Sequence, residues 1–442
     1  MDNSRRDFIR NTGAFITLGA MGFSSKSYAR IVGANDRITV GVMGTNGRGA
    51  GMAANFAKQA NTDVIYICDV EEKALAKGIA AVKKAVNKEP KAVKDFRTIL
   101  TDKDLDAMYL APPDHWHAPA AIMSCAAGKH VYVEKPLCHN PQEGELAVAA
   151  ARKYKRVVQM GSQRRSWAVL TQGIQELQGG AIGKVFMAKT WYTNNRASIG
   201  VGKVVPVPAN LDYDLWQGPA PRMPYKDNIV HYHWHWRWHW GTGEALNNGT
   251  HEIDVARWGL GVDYPTKVCS VGGRYRFKDD WETPDTQIIT FECEGASVIW
   301  EGRSCNSVPV EGEDRGVIFY GEKGSLATGG NSYTIRDHKN VIVKEIKSND
   351  KIDGRDLSSP GESLDSVHID NFLKCIREGG TPTADVETGR KSTLWVQLGN
   401  ISQRVGATLS IDQKTGHIQE NKAAQALWGR TYEPGWAPVS YM

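Results

Sequence analysis

Glu134, Lys135 and Pro136 follow the apolar residues 131–133 in a predicted strand, 130–137. Ligands bind beside the carboxyl ends of parallel strands, and a lysine there can lower the pKa of a substrate hydroxyl or pass on its proton. A surface ion pair between Glu134 and Lys135 is the alternative explanation. The tripeptide therefore indicates proton-transfer chemistry without excluding a purely structural pair.

A glycine-rich turn, Gly-Thr-Asn-Gly-Arg-Gly, occupies residues 44–49 between an apolar run, 37–44, and a helix-forming segment, 50–60. It fits G-x-G-x-x-G except for Asn46, and asparagine tolerates a left-handed backbone better than most residues. The N–H groups at a helix N-terminus bind pyrophosphate well, although a tight turn without a ligand would look similar. The candidate cofactor-binding residues here are Gly44, Thr45, Asn46, Gly47 and Arg48.

Asp69 ends the second apolar run, 63–69, and lies 20 residues after Gly49. A carboxylate at this position accepts hydrogen bonds from the adenosine ribose, which favours NAD over NADP. Arg48 is the residue that could instead meet a 2′-phosphate. The turn and Asp69 together predict an NAD site, with NADP less favoured.

Residues 231–240 read His-Tyr-His-Trp-His-Trp-Arg-Trp-His-Trp. In an extended chain the histidines would share one face and the tryptophans the other. The imidazoles could bind a divalent metal, and the indoles could be core. We rank a sugar-binding surface above both, since broad aromatic faces stack on pyranose rings, no carboxylate or cysteine intervenes, and nicotinamide chemistry needs no metal. The candidate substrate contacts in this stretch are Arg237, Trp238 and Trp240.

Two kinds of strand order divide the chain. Apolar runs alternate with helix-forming segments from 36 to 161, which predicts a doubly wound parallel sheet. After residue 162, strands with short turns indicate a mostly antiparallel sheet. These strands are expected at 183–194, 267–277, 285–295, 296–303 and 316–330, with helices near 165–179, 248–260 and 364–377. The predicted fold is α/β: an N-terminal Rossmann domain, 36–161, and a C-terminal α+β domain with a tail, 162–442.

Composition excludes several classes of protein. The chain has 442 residues, of which 41% are hydrophobic, enough for two domains with a real core. A net charge of +5 is small for this length and argues against a nucleic-acid partner. No run of about 18 apolar residues occurs, so we expect no permanent membrane span.

The N-terminus has the pattern of an export signal. Arg5 and Arg6 precede Phe8, a weakly apolar stretch follows, and small residues precede Arg30. This resembles a twin-arginine signal over residues 1–29, and an amphipathic first helix is the alternative. We expect a protein exported to the periplasm or beyond, with the twin-arginine machinery as a partner. That route carries folded proteins and therefore suits an enzyme that loads its cofactor before export.

Four motifs occur together along the chain. They are the glycine turn, Ala-Pro-Pro-Asp-His-Trp-His (111–117), Val-Glu-Lys-Pro-Leu (133–137) and Asn-Asn-Gly-Thr-His-Glu-Ile-Asp (247–254). The combination resembles the glucose–fructose oxidoreductase/inositol dehydrogenase (Gfo/Idh/MocA) family over nearly the whole mature chain. The resemblance implies NAD(P) in a Rossmann domain and hydride transfer on sugars, glycosides or cyclitols. It also implies a homo-oligomer, because the open sheet of the second domain commonly forms the dimer interface.

The resemblance also implies roles for single residues. Gly47 and Arg48 are expected on the pyrophosphate, and Asp69 on the ribose. The residues expected around the nicotinamide and its ribose are Pro112, Asp114, His115, Trp116, His117, Glu134, Lys135 and Gln163.

A second family motif, usually D-x-x-x-H, is Asn247 to His251 in this chain. His251 is a base candidate with an ordinary pKa near 6.5, whereas Asn247 can orient a hydroxyl but cannot take its proton. Lys135 or His251 must therefore accept the proton of the substrate hydroxyl, and the sequence leaves open which of them is the base. Arg164 and Tyr192, at the start of the second domain, are further candidates for substrate contact.

The predicted function is that of an NAD-dependent oxidoreductase acting on a secondary hydroxyl of a sugar or glycoside, with C3 as the candidate position. Free NAD is scarce outside the cytoplasm, so we expect the cofactor to be tightly held and recycled. An NAD-dependent glycosidase that oxidises, eliminates and reduces again is the first alternative. The related α-N-acetylgalactosaminidases share the tryptophan-rich stretch but usually have Val where this chain has Lys135. A non-catalytic sugar sensor is the second alternative.

Overall fold

The computed structural model describes residues 37–330, 332–348 and 362–442. The predicted signal peptide, 1–29, lies outside these residues. Residues 38–442 form one compact unit. Within the described chain, no helix has the length and apolarity that crossing a membrane requires.

A six-stranded parallel sheet forms the first part of the chain, in the order β3-β2-β1-β4-β5-β6. The order reverses between β1 and β4, and ligands bind beyond the carboxyl ends of the strands at such a point. The predicted parallel sheet is confirmed, while the short, largely exposed strand β3 was not predicted. The strands are β1 Ile38–Met43, β2 Thr62–Cys68, β3 Lys91–Val93, β4 Ala107–Leu110, β5 His130–Val133 and β6 Val158–Met160.

Helices connect these strands and cover the sheet. Val40 and Val42 are fully buried between them, as expected for parallel strands with both faces covered. The helices are α1 Arg48–Ala57, α2 Glu72–Val86, α3 Phe96–Ile99, α4 Asp114–Ala126 and α5 Pro141–Lys153.

A ten-stranded sheet dominates the rest of the chain, in the order β14-β13-β12-β11-β7-β10-β9-β8-β15-β16. Only β7 and β10 pair in parallel among the described strands of this sheet, which confirms the prediction of a mostly antiparallel sheet. The strands are β7 Val185–Thr193, β8 Lys267–Gly273, β9 Thr286–Cys293, β10 Ala296–Arg303, β11 Arg315–Gly321, β12 Gly324–Thr328, β13 Ser332–Arg336, β14 Ile342–Lys347, β15 Leu409–Ile411 and β16 Ile418–Gln419.

The remaining helices are α6 Ala168–Gln178, α7 Tyr213–Gln217, α8 Thr250–Leu260, α9 Glu362–Glu378, α10 Val386–Val405 and α11 Lys422–Gln425. Of these, α6, α8 and α10 pack against strands of the ten-stranded sheet around a core that includes Phe291, Trp300 and Trp395. Shorter turns are a π-helical turn, Ala245–Gly249, and 3₁₀ turns at Gln163–Ser166, His233–Trp236 and Pro438–Tyr441. The three predicted helices are confirmed as α6, α8 and α9.

Helix α10 was not predicted, although it is the longest of the described helices. Its buried residues include Ser392, Thr393 and Gln397 as well as Trp395. Because polar residues are buried among apolar ones, the helix lacks the single apolar stripe that reveals an amphipathic helix in a sequence.

Helix α9 returns from the second half of the chain to the first sheet. The ring of Phe372 contacts the rings of Phe56 and Tyr132 at centroid distances of 6.5 and 5.9 Å. The core of the Rossmann sheet is thus completed by residues far along the sequence, and the domain boundary at 161/162 stays a prediction. The homo-oligomer also stays a prediction, although the ten-stranded sheet exposes Val271 and Ile288.

Candidate active site

One cavity of about 480 Å³ lies at the switch point of the parallel sheet. It runs from the glycine turn to the residues that follow β5 and on to the π-helical turn. Among the residues that line it are Gly47, Asp69, Pro112, Asp114, Lys135 and Asn247. Both parts of the chain therefore contribute to a single site.

The glycine turn leaves room for a diphosphate. A Cβ on Gly49 would lie 1.7 Å from the Gly44 carbonyl oxygen, and Gly44 itself has a φ of +84°. A Cβ on Gly47 would meet no atom within 4 Å, so the chain is open at this glycine. Helix α1 begins after Gly47 without a side-chain cap, which leaves its first N–H groups to a ligand. The turn fits the phosphates of a dinucleotide.

Asp69 ties the glycine turn to the end of β2. Its Oδ2 accepts from the Thr45 N–H at 2.6 Å, and its Oδ1 accepts from the Glu71 N–H at 3.0 Å. Burial raises the pKa of this carboxyl, against the lowering effect of the two N–H donors. Thr45 is itself buried, and its hydroxyl donates to Ala74, so it supports the turn while Asn46 lines the cavity beside it.

The side chain of Arg48 makes contacts that the sequence did not predict. Its guanidinium pairs with Glu134 at 3.0 Å and forms two hydrogen bonds with Asp365 at 2.6 and 2.7 Å. With its side-chain amide oriented so that both its oxygen and its nitrogen have partners, Gln163 accepts a hydrogen bond from Arg48 Nη2 at 2.6 Å. Gln163 does not line the cavity. The guanidinium is therefore engaged by two carboxylates, and the contact of Arg48 with a pyrophosphate stays a prediction.

Glu134 and Lys135 leave β5 in different directions. Burial alone would raise the pKa of the Glu134 carboxyl, but Arg48 and Lys135 outweigh it and hold that pKa below the ordinary value. Lys135 Nζ donates to both the main-chain oxygen and the side-chain oxygen of Asn247, the latter at 3.2 Å. Burial lowers the pKa of the Lys135 ammonium, against the raising effect of Glu134 and Asp114.

The first turn of α4 brings three of its four predicted residues to the cavity. Asp114 accepts from the Thr242 hydroxyl, and the two ring nitrogens of His117 lie 2.5 and 2.8 Å from main-chain carbonyl oxygens. Trp116 lines the cavity too, and its Nε1 donates to the Trp216 carbonyl at 2.9 Å. His115 does not line it; the structure buries this residue completely, which corrects the prediction of a ribose contact.

Asn247 and His251 lie four residues apart, in the π-helical turn and the first turn of α8. Asn247 Nδ2 donates to Glu244 and to the Tyr232 hydroxyl, each at 3.3 Å. The ring of His251 makes no hydrogen bond within the described chain, and burial and then Lys135 hold its pKa well below 6.5. The pKa lies below the ordinary value expected from the sequence, so His251 is a weaker base than predicted.

The stretch 231–240 is not extended, so the prediction of separate histidine and tryptophan faces is wrong. A 3₁₀ turn covers His233–Trp236, and the chain turns again where the Gly241 N–H donates to the Arg237 carbonyl. The Trp236 ring stacks on Trp281 at 4.1 Å. Trp281 lies 45 residues further along the chain, and such stacking favours a folded turn over an extended strand.

The predicted substrate contacts in the second half of the chain are placed elsewhere. Arg237 pairs with Asp280 at 2.9 Å, Trp238 lies against Arg404, and Trp240 packs on Trp216. Arg164 pairs with Glu252 at 3.1 Å, and Tyr192 lies beside Arg315. None of these five residues, nor His251, lines the cavity, whereas Asn247 does.

Several unpredicted residues line the cavity, among them Phe96 and Trp216 and others from the first half of the stretch 231–240. Those from the stretch are His231, Tyr232, Trp234 and His235. The alternation of aromatic residues was the signal, but it is uniform and could not show which half faces the ligand. No group of three or more His, Cys, Asp or Glu side chains in the described parts of the chain is arranged to hold a metal ion.

Comparison with known proteins gives two family matches. Residues 38–162 match an oxidoreductase family with an NAD-binding Rossmann fold, and residues 200–411 match the C-terminal alpha/beta domain of the same family. The two matches cover most of the chain.

Individual relatives are more distant. A "Glycosyl hydrolase family 109 protein" of Saccharopolyspora erythraea is 35% identical over 107 residues, 23% of either chain. An "Uncharacterized oxidoreductase YrbE" of Bacillus subtilis is 27% identical over 237 residues, 53% of this chain and 58% of that protein. The matches therefore span less than two thirds of both curated relatives.

The fold is shared with solved structures. The WlbA dehydrogenase from Bordetella pertussis, in complex with NADH and UDP-GlcNAcA, superposes with a TM-score of 0.63 at 21% identity. The match covers 85% of this chain and 99% of that chain. At this identity the likeness extends to the fold alone.

Proposed function

Because the chain belongs to the Gfo/Idh/MocA family of NAD-binding oxidoreductases, we propose that it transfers a hydride to or from a secondary hydroxyl of a sugar or glycoside. One observation carries the proposal: a single cavity connects the glycine turn with Lys135 and Asn247. NAD, when bound there, supplies the hydride acceptor or donor. The residues that would hold it are those of the glycine turn and Asp69, with Pro112, Asp114 and His117 further along the cavity. We propose C3 of the sugar as the position of the reacting hydroxyl.

We assign the proton of the reacting hydroxyl to Lys135. Lys135 lines the cavity, and burial lowers the pKa of its ammonium, so it loses its proton more readily than an exposed lysine and the resulting amine can accept one. His251 does not line the cavity, and protonation would place a further buried charge beside Lys135 and Arg315. In this assignment Asn247 orients the lysine, and His251 remains neutral.

The segment between β7 and the π-helical turn supports a tightly held cofactor. It runs beside the loop after β2, where the Asp212 N–H donates to Val70 and the Glu72 N–H donates to Asn210, both at 3.0 Å. His231 from the same segment lies 3.1 Å from Glu71. Val70 and His231 line the cavity together with Asp69, so these contacts add protein groups at the Asp69 end, where a dinucleotide would be held. A second sugar or keto-sugar would then recycle the cofactor in place.

The nucleotide content of the purified full chain tests this point. We expect denaturation of the protein to release a stoichiometric amount of NAD. Protein that carries no nucleotide and needs millimolar added NAD would contradict tight binding and recycling. Export by the twin-arginine route is part of the same proposal, and cell fractionation would locate the protein.

An NAD-dependent glycosidase is the second candidate, because a relative named as a glycosyl hydrolase matches over 107 residues. Lys135 argues against it, since the related glycosidases usually have Val there. Incubation with a panel of p-nitrophenyl glycosides separates the two: a keto product without cleavage supports the oxidoreductase, and release of nitrophenol supports the glycosidase. A sugar sensor would give neither product, and Lys135→Ala would change none of its measurable properties.

A further inference from the structure

His235 belongs to the 3₁₀ turn His233–Trp236 and lines the same cavity as Lys135 and Asn247. It is 9% exposed. The proposed chemistry does not use it, and the stretch that contains it was ambiguous in the sequence.

The orientation of the His235 ring is fixed from both sides. Its centroid lies 3.5 Å from that of Trp234 and 3.9 Å from that of Tyr232. Nδ1 lies 2.7 Å from the Tyr232 carbonyl oxygen. A carbonyl oxygen only accepts, so Nδ1 carries the hydrogen and, in the neutral ring, Nε2 is an acceptor.

Nε2 has no hydrogen-bond partner within the described chain, yet it is not enclosed by protein. Burial, and then the charges of Lys135 and Arg196, lower the pKa of His235 well below 6.5 and keep the ring neutral. An accessible acceptor that no protein group satisfies can take a hydrogen bond from a molecule in the cavity. Nε2 is therefore available to a donor inside the cavity.

We infer that His235 is a substrate-binding residue that accepts a hydrogen bond, through Nε2, from a hydroxyl of an uncharged sugar next to the hydroxyl that faces Lys135. The inference rests on the proposed sugar substrate. A neutral O–H group fits this position, because it can donate to Nε2, whereas a carboxylate has no proton to donate. The faces of Trp234 and Tyr232 beside it suit the C–H face of a sugar ring.

The accessibility of Nε2 can be tested on the unmodified protein loaded with NAD. Diethyl pyrocarbonate acylates neutral imidazole nitrogens that it can reach, and mass spectrometry locates the modified histidines. We expect modification at His235, while the completely buried His115 and His368 resist. If His235 is as unreactive as His115, Nε2 does not face the cavity and the inference is overturned.

The hydroxyl contact can be tested by calorimetry on the NAD-loaded protein. The probes are the methyl glycosides of glucose, galactose and mannose and their monodeoxy forms. We expect one deoxy form to bind about tenfold more weakly than its parent, the factor that one hydrogen bond supplies. His235→Phe keeps the aromatic stack but should bind both forms equally, at the weaker affinity, whereas His233→Phe, whose side chain does not line the cavity, should keep the discrimination.

The outcomes separate the two levels of the proposal. If the natural protein binds glycosides and His235→Phe still discriminates between parent and deoxy form, the role of His235 is wrong and the proposed function stands. If the natural protein binds none of the probes, the proposed sugar substrate fails, and the role of His235 fails with it.

Discussion

Lys135 Nζ lies 3.2 Å from Asn247 Oδ1 and also donates to the main-chain oxygen of the same residue. Lys135 follows the last residue of β5, and Asn247 belongs to the π-helical turn of the second domain. π-Helical turns often occur at functional sites, where the widened backbone displaces a residue from its helical position. The ammonium in the cavity is therefore positioned by the other domain, and several predictions depend on this contact.

Lys135→Arg tests proton transfer. Arginine keeps the positive charge but does not lose its proton, so we expect kcat to fall by about 10²–10⁴-fold while NAD binding changes little. Because the pKa of Lys135 is lowered, activity of the natural protein in the direction of oxidation should rise with pH along a limb centred below 10.5. A pH profile of kcat checks both points, and an unchanged limb in Lys135→Arg would assign the proton to another group.

Asn247→Asp tests why this chain has an amide at the position. Asn247 Nδ2 donates to Glu244 at 3.3 Å, and Glu244 is buried, so a second carboxylate would face the first. We expect the free energy of unfolding to fall by about 1–3 kcal/mol and the pH limb of Lys135 to move to higher pH. Chemical denaturation measures the first effect; Glu244→Gln should recover part of the loss in a double-mutant cycle, and full additivity would refute the coupling.

The two glycines of the turn should respond differently to alanine. Gly49→Ala would place its Cβ against the Gly44 carbonyl and disrupt the turn, whereas Gly47→Ala meets no protein atom. We expect Gly47→Ala to unfold at the same temperature as the natural protein but to bind NAD more weakly. Thermal unfolding with and without NAD distinguishes the two variants. Normal NAD binding by Gly47→Ala would show that the phosphates do not bind next to this residue.

The C-terminal tail should stabilise the helix that carries Asp114 and His117. Arg430 pairs with the fully buried Glu143 at 2.7 Å and donates to the His115 carbonyl at 2.6 Å. Arg430→Ala would leave a buried carboxylate without its cation, which costs about 3–5 kcal/mol of unfolding free energy. Urea denaturation measures this loss of unfolding free energy, and Lys414→Ala, at an exposed position, is the control. Equal stability of the two variants would contradict the prediction.

Stability should fall between pH 7 and pH 5. Burial holds the pKa values of His115, His139, His235 and His251 well below 6.5. The unfolded chain binds protons at these residues as the pH falls through 6.5, and the folded chain does not. Each of these histidines therefore lowers the free energy of unfolding as the pH falls, by up to about 1.4 kcal/mol per pH unit. Unfolding temperatures measured from pH 7 to pH 5 test this prediction. His139→Gln should make the unfolding temperature depend less steeply on pH, and the control His338→Gln, at an exposed position, should leave that dependence unchanged.

Much of the first domain could be predicted from local sequence. Its strands are buried on both faces and therefore appear as short apolar runs, and the glycine turn and Asp69 lie at strand ends where their role follows from position. The predictions failed where burial does not leave a periodic pattern. Strand β3 has three residues, of which Lys91 and Ala92 are exposed, and α10 buries Ser392 and Thr393 among its apolar residues.

The sequence by itself determined the parallel sheet, the dinucleotide turn and the presence of Lys135 at a strand end, because each depends on residues close together in the chain. Only the tertiary structure decided that Arg48 pairs with Asp365, that Trp236 stacks on Trp281, and that His235 rather than Arg237 lines the cavity. These outcomes depend on partners brought together from distant parts of the chain. A uniform run of aromatic residues contains no local information about which of its members will find such partners.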